Sequence, residues 1–121
     1  MSKNYKISVI TVTKNSKKFL EENIQSLSNQ TYKNFEHIVI DGNSNDGTVA
    51  IIKKNSDKIS KWISETDKGL YFAMNKGIKL SSGDIIGILN SDDIYYPNAL
   101  KIVNKYFSSN DNLDFLFGTV E

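Results

Sequence analysis

Apolar residues come in short β-branched runs separated by stretches of helical period. Residues 6–13, Lys-Ile-Ser-Val-Ile-Thr-Val-Thr, predict a first buried strand. Over 17–29, Leu20, Ile24 and Leu27 share one face while Glu21, Glu22 and Gln25 lie elsewhere, which predicts an amphipathic helix with Asn15 or Ser16 as N-cap. Residues 36–40 predict a second strand ending at Asp41, and Thr48 then caps a helix running to Ser56. A third strand is expected over 59–64, followed by a helix over 70–80 with Leu70, Ala73, Met74, Gly77 and Ile78 facing the core. Residues 85–89 predict a strand buried on both faces, central in the sheet. Pro97 starts a helix to Phe107, and residues 113–117 predict a last strand.

Strands alternating with helices make an α/β fold, with a mainly parallel sheet and right-handed crossovers. A chain of 121 residues holds one core, and its stop soon after a strand leads us to expect a piece of a longer protein.

The polar residues cluster in the loops after the strands. Asp41 follows the second, Glu65 and Asp67 the third, and Asp92-Asp93 the fourth. In a parallel sheet these loops share the carboxyl edge, where ligands bind in open α/β folds. Two adjacent aspartates cannot sit within a buried strand, because alternation would drive one carboxylate into the core. They belong on the turn, where a divalent cation relieves their repulsion. Asn43, Asn45 and Asp46 read as turn formers. His37, the sole histidine, lacks the partners that make a catalytic site and reads as structural. Trp62 reads as core or sheet edge.

Composition narrows the chemistry. A net charge of +1 gives no electrostatic footprint for nucleic acid or a membrane surface. No cysteine is present, which removes disulfides and thiolate metal sites and agrees with a cytoplasmic location. All fifteen basic residues are lysine, so a bound diphosphate must be neutralised by Lys, backbone N–H groups or a metal, without a guanidinium fork. No apolar run approaches the ~20 residues of a membrane span. No G-x-G-x-x-G follows the first strand, which disfavours a dinucleotide oxidoreductase. Thr13-Lys14-Asn15 offers no aspartate for a phosphotransferase or phosphatase.

Five segments, in order, carry a resemblance. They are Ile7 through Asn15, Ser28-Asn29-Gln30-Thr31-Tyr32, Val39-Ile40-Asp41-Gly42-Asn43-Ser44-Asn45-Asp46-Gly47-Thr48, Glu65-Thr66-Asp67-Lys68-Gly69-Leu70-Tyr71-Phe72-Ala73-Met74-Asn75-Lys76-Gly77, and Ser82-Gly83-Asp84 through Asn90-Ser91-Asp92-Asp93. Together they resemble the family 2 glycosyltransferases of the GT-A fold, over nearly the whole chain. The resemblance implies a Rossmann-like donor domain over 1–121, with the acceptor half absent. It implies transfer of a sugar from a nucleotide-diphosphate donor, a UDP-sugar, to a hydroxyl on a glycan or lipid-linked acceptor, as in surface polysaccharide assembly. Thr13, Asn15, Asp41, Asp67 and Asp92 would bind the nucleotide, and Asp93 with Asp92 would hold Mn²⁺ or Mg²⁺. The full-length enzyme would be peripheral to the inner face of the membrane.

The sequence departs from the pattern at Asn90, where the first acid of a D-x-D motif stands, and at Phe72, where many relatives have Asp. The family's general base lies well downstream of the metal motif and is expected beyond Glu121. Asp111 and Asp114 read as surface residues. The alternative is a donor-binding module without catalysis. A fragment lacking the acceptor half is also expected to self-associate through exposed apolar surface.

Overall fold

The computed structural model describes residues 3–110; the strand expected over 113–117, with Asp111 and Asp114, lies outside the described residues. Four strands, β1 (Ile7–Thr13), β2 (Phe35–Asp41), β3 (Lys61–Ser64) and β4 (Ile85–Ile88), form one parallel sheet in the order β3-β2-β1-β4. Four helices connect or follow them: α1 (Leu20–Ser28), α2 (Thr48–Lys54), α3 (Leu70–Leu80) and α4 (Ala99–Ser109).

The topology follows from the handedness of the crossovers. The chain steps outward from β1 to β2 to β3, then returns across the sheet to β4. Right-handed crossovers therefore place α1 and α2 on one face and α3 on the other. The core agrees. Leu20 and Ile24 of α1 pack with Val39 and Ile52, and Leu27 packs with Ile7, Val9, Leu89 and Leu100 of α4. On the opposite face Ala73 of α3 packs on Ile10, Ile38 and Ile40. Gly77 permits this approach, since a Cβ there would lie 2.5 Å from Ile10 Cγ2. The reversal of direction between β1 and β4 is the topological switch point, the place where open α/β sheets form a crevice at their carboxyl ends.

One expectation is corrected. The strands flanked on both sides among the described residues are β1 and β2, whereas β4 is an edge strand of that sheet, with Ile86 44% and Ile88 40% exposed. These two isoleucines stand beside Ser8 and Ile10, on the α3 face. That helix lies over β1 and β2 and leaves the matching face of β4 open.

Two helix starts also differ from expectation. Asn15 takes a left-handed φ of 51° and α1 begins only at Leu20, after a turn in which Ser16 O accepts from the backbone N–H groups of Phe19 and Leu20. Asn15 and Ser16 do not cap because their side chains bond across to other loops. Thr48 is the first residue of α2, and Asp46, read as a simple turn former, accepts its backbone N–H at 3.0 Å and its hydroxyl. That hydroxyl bond, against partial desolvation, holds the Asp46 carboxyl below its usual range.

Candidate functional site

Register brings the predicted loops to one edge. Thr13 stands beside Asp41, and Asp41 beside Ser64, at the carboxyl ends of three neighbouring strands. Backbone bonds continue the pairing into the loops, from Gly42 N to Thr13 O (2.9 Å) and from Glu65 N to Asp41 O (3.0 Å).

Asp41 is fully buried and organises the edge. Its Oδ2 accepts from Ser44 N (2.9 Å) and Ser64 Oγ (2.7 Å), and its Oδ1 accepts from Ser44 Oγ (2.5 Å). A carboxylate offers about four acceptor sites, so three are filled from within. Ser44 Oγ in turn accepts from Asn15 N at 2.7 Å, and Asn15 Oδ1 accepts from Asn45 N at 2.9 Å. Asn15 thus ties the first loop to the second. Beside Asp41, Thr13 Oγ1 is buried with no hydrogen-bond partner, an unmet polar group at the strand end.

Asp67 accepts from Gly69 N at 3.1 Å and closes the loop before α3. Lys14 and Asp67 converge over Gly42, where a Cβ would meet Lys14 Cδ at 3.4 Å and Asp67 Oδ2 at 3.5 Å. Four of the predicted residues, Thr13, Asn15, Asp41 and Asp67, therefore form one continuous rim.

Asp92 and Asp93 occupy a separate turn at the same edge, after β4. Asp93 N bonds Asn90 O at 3.0 Å, placing Ser91 and Asp92 at the tip. Asp92 is exposed and Asp93 half-buried. No hydrogen-bond donor among the described residues reaches either carboxylate. Nearby Tyr95 has its phenol pushed up by burial and, secondarily, by the charge of Asp93.

Two residues to which sequence reasoning gave no part in the site hold this turn. Ser16 Oγ shares a 2.8 Å hydrogen bond with Ser91 Oγ, while Ser16 N donates to Thr48 Oγ1 at 3.0 Å, so Ser16 links the turn to α2. Asn23, buried on α1, donates to Asn90 O (3.0 Å) and Asp93 O (3.2 Å). The signal for Asn23 was present, a polar residue inside the apolar stripe of Leu20, Ile24 and Leu27. Gln30 has a related role: its Nε2 donates to Tyr96 O (2.8 Å) and its Oε1 accepts from Leu100 N (3.0 Å), fixing the segment between the turn and α4.

Asp92 and Asp93 suit a hard divalent cation. No cluster of three or more His, Cys, Asp or Glu side chains exists among the described residues. Two adjacent carboxylates match a cation that takes one or two protein oxygens and completes its shell with phosphate oxygens and water. No helix among the described residues is long and apolar enough to cross a membrane.

The sequence and the fold have counterparts among known proteins. The chain is 32% identical over 119 residues to the UDP-Glc:alpha-D-GlcNAc-diphosphoundecaprenol beta-1,3-glucosyltransferase WfgD of Escherichia coli, a match covering 98% of this chain and 47% of its relative. It is 35% identical over 119 residues to an uncharacterized glycosyltransferase of Methanocaldococcus jannaschii, covering 94% of this chain and 41% of the other. The chain thus spans less than half the length of these curated relatives. Among solved structures, S. aureus TarS 1-349 in complex with UDP-GlcNAc superposes with a TM-score of 0.81 at 28% identity, over 88% of this chain and 32% of TarS. The Pyrobaculum calidifontis mannosyltransferase PcManGT, in complex with GDP-Man and Mn²⁺, shares the fold at a TM-score of 0.77 and 21% identity, over 93% of this chain and 35% of that one. The model of glycosyl transferase family 2 matches residues 8–120. With its parallel sheet, its acidic carboxyl edge and this match over nearly its whole length, the chain belongs to glycosyl transferase family 2.

Proposed function

We propose that this chain is the donor-binding part of a glycosyltransferase that takes a UDP-sugar with Mn²⁺ or Mg²⁺ and passes the sugar to a hydroxyl acceptor of the glycan or lipid-linked class. The observation that carries this reading is the convergence of Thr13, Asp41 and Asp67 on the carboxyl edge of the sheet, the same edge at which the turn after β4 carries the open carboxylates of Asp92 and Asp93. The UDP and UDP-GlcNAc complexes of TarS support a uridine donor. A complex of Mycobacterium tuberculosis glucosyl-3-phosphoglycerate synthase with Mn²⁺ and UDP supports the metal, at 25% identity and a TM-score of 0.65.

Each residue then has a task. Asp41 keeps one acceptor site on Oδ1, suited to the N3–H of uracil, a donor that cytosine lacks. Thr13 Oγ1 supplies a free hydroxyl on the same rim. Asp67 contributes to the base or ribose, and Asn15 holds the first two loops in register. Asp92 and Asp93 hold the cation, which when bound stabilises the departing diphosphate as a Lewis acid. With no arginine in the chain, a lysine such as Lys14, beside Asp67 over Gly42, would share that charge. Asp41 is committed to Ser44 and Ser64 and is poorly suited to take the acceptor proton as general base. That same commitment favours a second reading, in which these residues bind the donor without turning it over. UDP-sugar hydrolysis in the absence of acceptor separates the two.

The test is calorimetric titration of UDP with and without Mn²⁺, with CDP, GDP and NAD as comparisons. UDP is expected to bind at least tenfold more tightly with Mn²⁺, about 1.4 kcal/mol, and NAD not at all. Metal-independent UDP binding would remove the role given to Asp92 and Asp93. Equal binding of CDP, whose cytosine has no N3–H to donate, would remove the role given to Asp41.

A further inference from the structure

Asn23 sits fully buried on the apolar face of α1, among Leu20, Ile24 and Leu27. A polar side chain there must have its hydrogen bonds satisfied within the protein. Its two strongest partners, Asn90 O at 3.0 Å and Asp93 O at 3.2 Å, are carbonyl oxygens, so the group facing them is the NH₂ and both of its hydrogens are used. These carbonyls are the two ends of the turn that carries Asp92 and Asp93. The amide clamps the backbone of the turn and bonds neither acidic side chain.

Once the NH₂ is fixed, Oδ1 must face Thr11, whose Oγ1 lies 3.5 Å away. Thr11 Oγ1 also shares a 2.8 Å hydrogen bond with His37 Nε2. If the Thr11 hydroxyl donates to Asn23, it accepts from His37, so Nε2 carries the proton. Nδ1 is then a bare lone pair, and it has no partner in its fully buried site. A bare acceptor is tolerated in such a place more readily than an orphaned N–H. The polar chain thus has one direction, from His37 on β2 through Thr11 on β1 and Asn23 on α1 to the turn after β4.

We propose that Asn23 is the positioning residue of the metal-binding turn, oriented from beneath by Thr11 and His37. The proposal rests on the reading of Asp92 and Asp93 as metal ligands. It assigns the spacing of their backbone to a side chain that touches neither nucleotide nor cation.

The test measures Mn²⁺ uptake in the presence of UDP, read from the loss of the free-ion electron paramagnetic resonance signal, alongside UDP affinity without metal. Asn23→Ala is expected to weaken Mn²⁺ binding more than tenfold and to leave metal-free UDP binding within twofold. Asn104→Ala is the control. It also removes a buried asparagine with two backbone partners, Tyr5 N (2.9 Å) and Lys3 O (2.8 Å), far from the crevice, and should leave Mn²⁺ binding unchanged. Asn23→Asp keeps the shape of the side chain, removes both N–H donors and adds a carboxylate. A positioning role requires that it weaken Mn²⁺ binding as Asn23→Ala does, whereas tighter Mn²⁺ binding would mean that charge alone governs the site and would overturn the proposal. Wild-type binding with unchanged affinity in both Asn23 variants overturns the proposal alone. Failure of the wild-type chain to take up Mn²⁺ with UDP overturns the metal reading and this inference together.

Discussion

Glu36 and Asp93 stand near opposite edges of the same sheet, and the chain surrounds them in opposite ways. Glu36 is 4% exposed near the amino edge. Its Oε2 accepts from Ser8 Oγ (2.6 Å), Ser82 N (2.6 Å) and Ser82 Oγ (3.0 Å), and its Oε1 lies 3.1 Å from Lys61 Nζ and 3.7 Å from Lys6 Nζ. Burial pushes its carboxyl up, but the bonds from Ser8, Ser82 and Lys61 win and hold it down at about 2. The carboxylate of Asp93, half-buried near the carboxyl edge, receives no donor among the described residues although its turn is fixed from below. A carboxylate saturated from within stabilises the fold. One whose backbone is fixed while its oxygens stay open is prepared for something from outside. The Ser-Gly-Asp segment before β4 belongs to the first kind. Ser82 closes on Glu36, Gly83 N donates to Ser8 Oγ at 2.8 Å, and Asp84 accepts from Lys6 N at 3.0 Å.

The largest effect should come from breaking the saturated side. Glu36→Ala strands Ser8 and Ser82 and leaves Lys61 facing a buried space. A loss of about 2–4 kcal/mol is expected, short of the largest values for buried pairs because Lys6 and Lys61 remain about 40% exposed. Urea unfolding measures it, and UDP affinity of the folded protein should not change. In the wild type the Glu36 contribution is present above the unfolded carboxyl pKa of 4.5 and fades as pH falls toward about 2. Stability that is insensitive to Glu36→Ala would mean that this edge is no anchor.

His37 gives the next largest effect, in a pH window of its own. Complete burial lowers its pKa from 6.5 to about 3. The unfolded chain therefore binds a proton below 6.5 that the native state refuses, and stability falls as the solution is acidified. Between pH 7 and pH 5 the loss is about 2 kcal/mol, before Glu36 begins to contribute. His37→Gln should flatten this interval. A wild-type stability that is level from pH 7 to 5 would contradict the neutral, buried His37.

Asp93→Ala tests the open side and should invert the Glu36 result. Mn²⁺-dependent UDP binding is expected to fall at least tenfold, about 1.4 kcal/mol, while stability stays within about 0.5 kcal/mol of wild type. A large loss of stability would make Asp93 a structural acid like Glu36 and erase the contrast between the two edges.

How far the sequence revealed these edges depends on the range of the interactions. The strands and helices were legible because burial repeats locally, with Ile10, Ile38 and Ile40 on one face and Val9 and Val39 on the other. The acidic loops were legible because a parallel sheet must bring strand ends together. The side of β4 that stays open was not legible, since it depends on where α3 comes to rest. Nor were the anchors. Asn23 meets Asn90 across 67 residues, Ser16 meets Ser91 across 75, and Ser82 meets Glu36 across 46. No local pattern encodes such pairings. Asn15 was placed in the nucleotide site for its position in a motif, yet its hydrogen bonds run to the neighbouring loop.

The smallest effect concerns a surface that neither edge uses. Ile86 and Ile88 are 44% and 40% exposed on β4, and Leu70 and Phe72 are 58% and 54% exposed at the start of α3. Apolar side chains on the open side of an edge strand favour pairing between copies. We expect weak, concentration-dependent self-association by sedimentation velocity, reduced by Ile86→Lys. Because Ile86 lies in β4 before the turn that carries Asp92 and Asp93, the same substitution should leave Mn²⁺-dependent UDP binding unaltered. If Ile86→Lys lowered nucleotide affinity as well, β4 would be transmitting its packing to the turn, and the hold assigned to Asn23 and Ser16 would be insufficient to fix it. A monomeric profile at high concentration would instead mean that the isoleucine face does not pair copies of this chain.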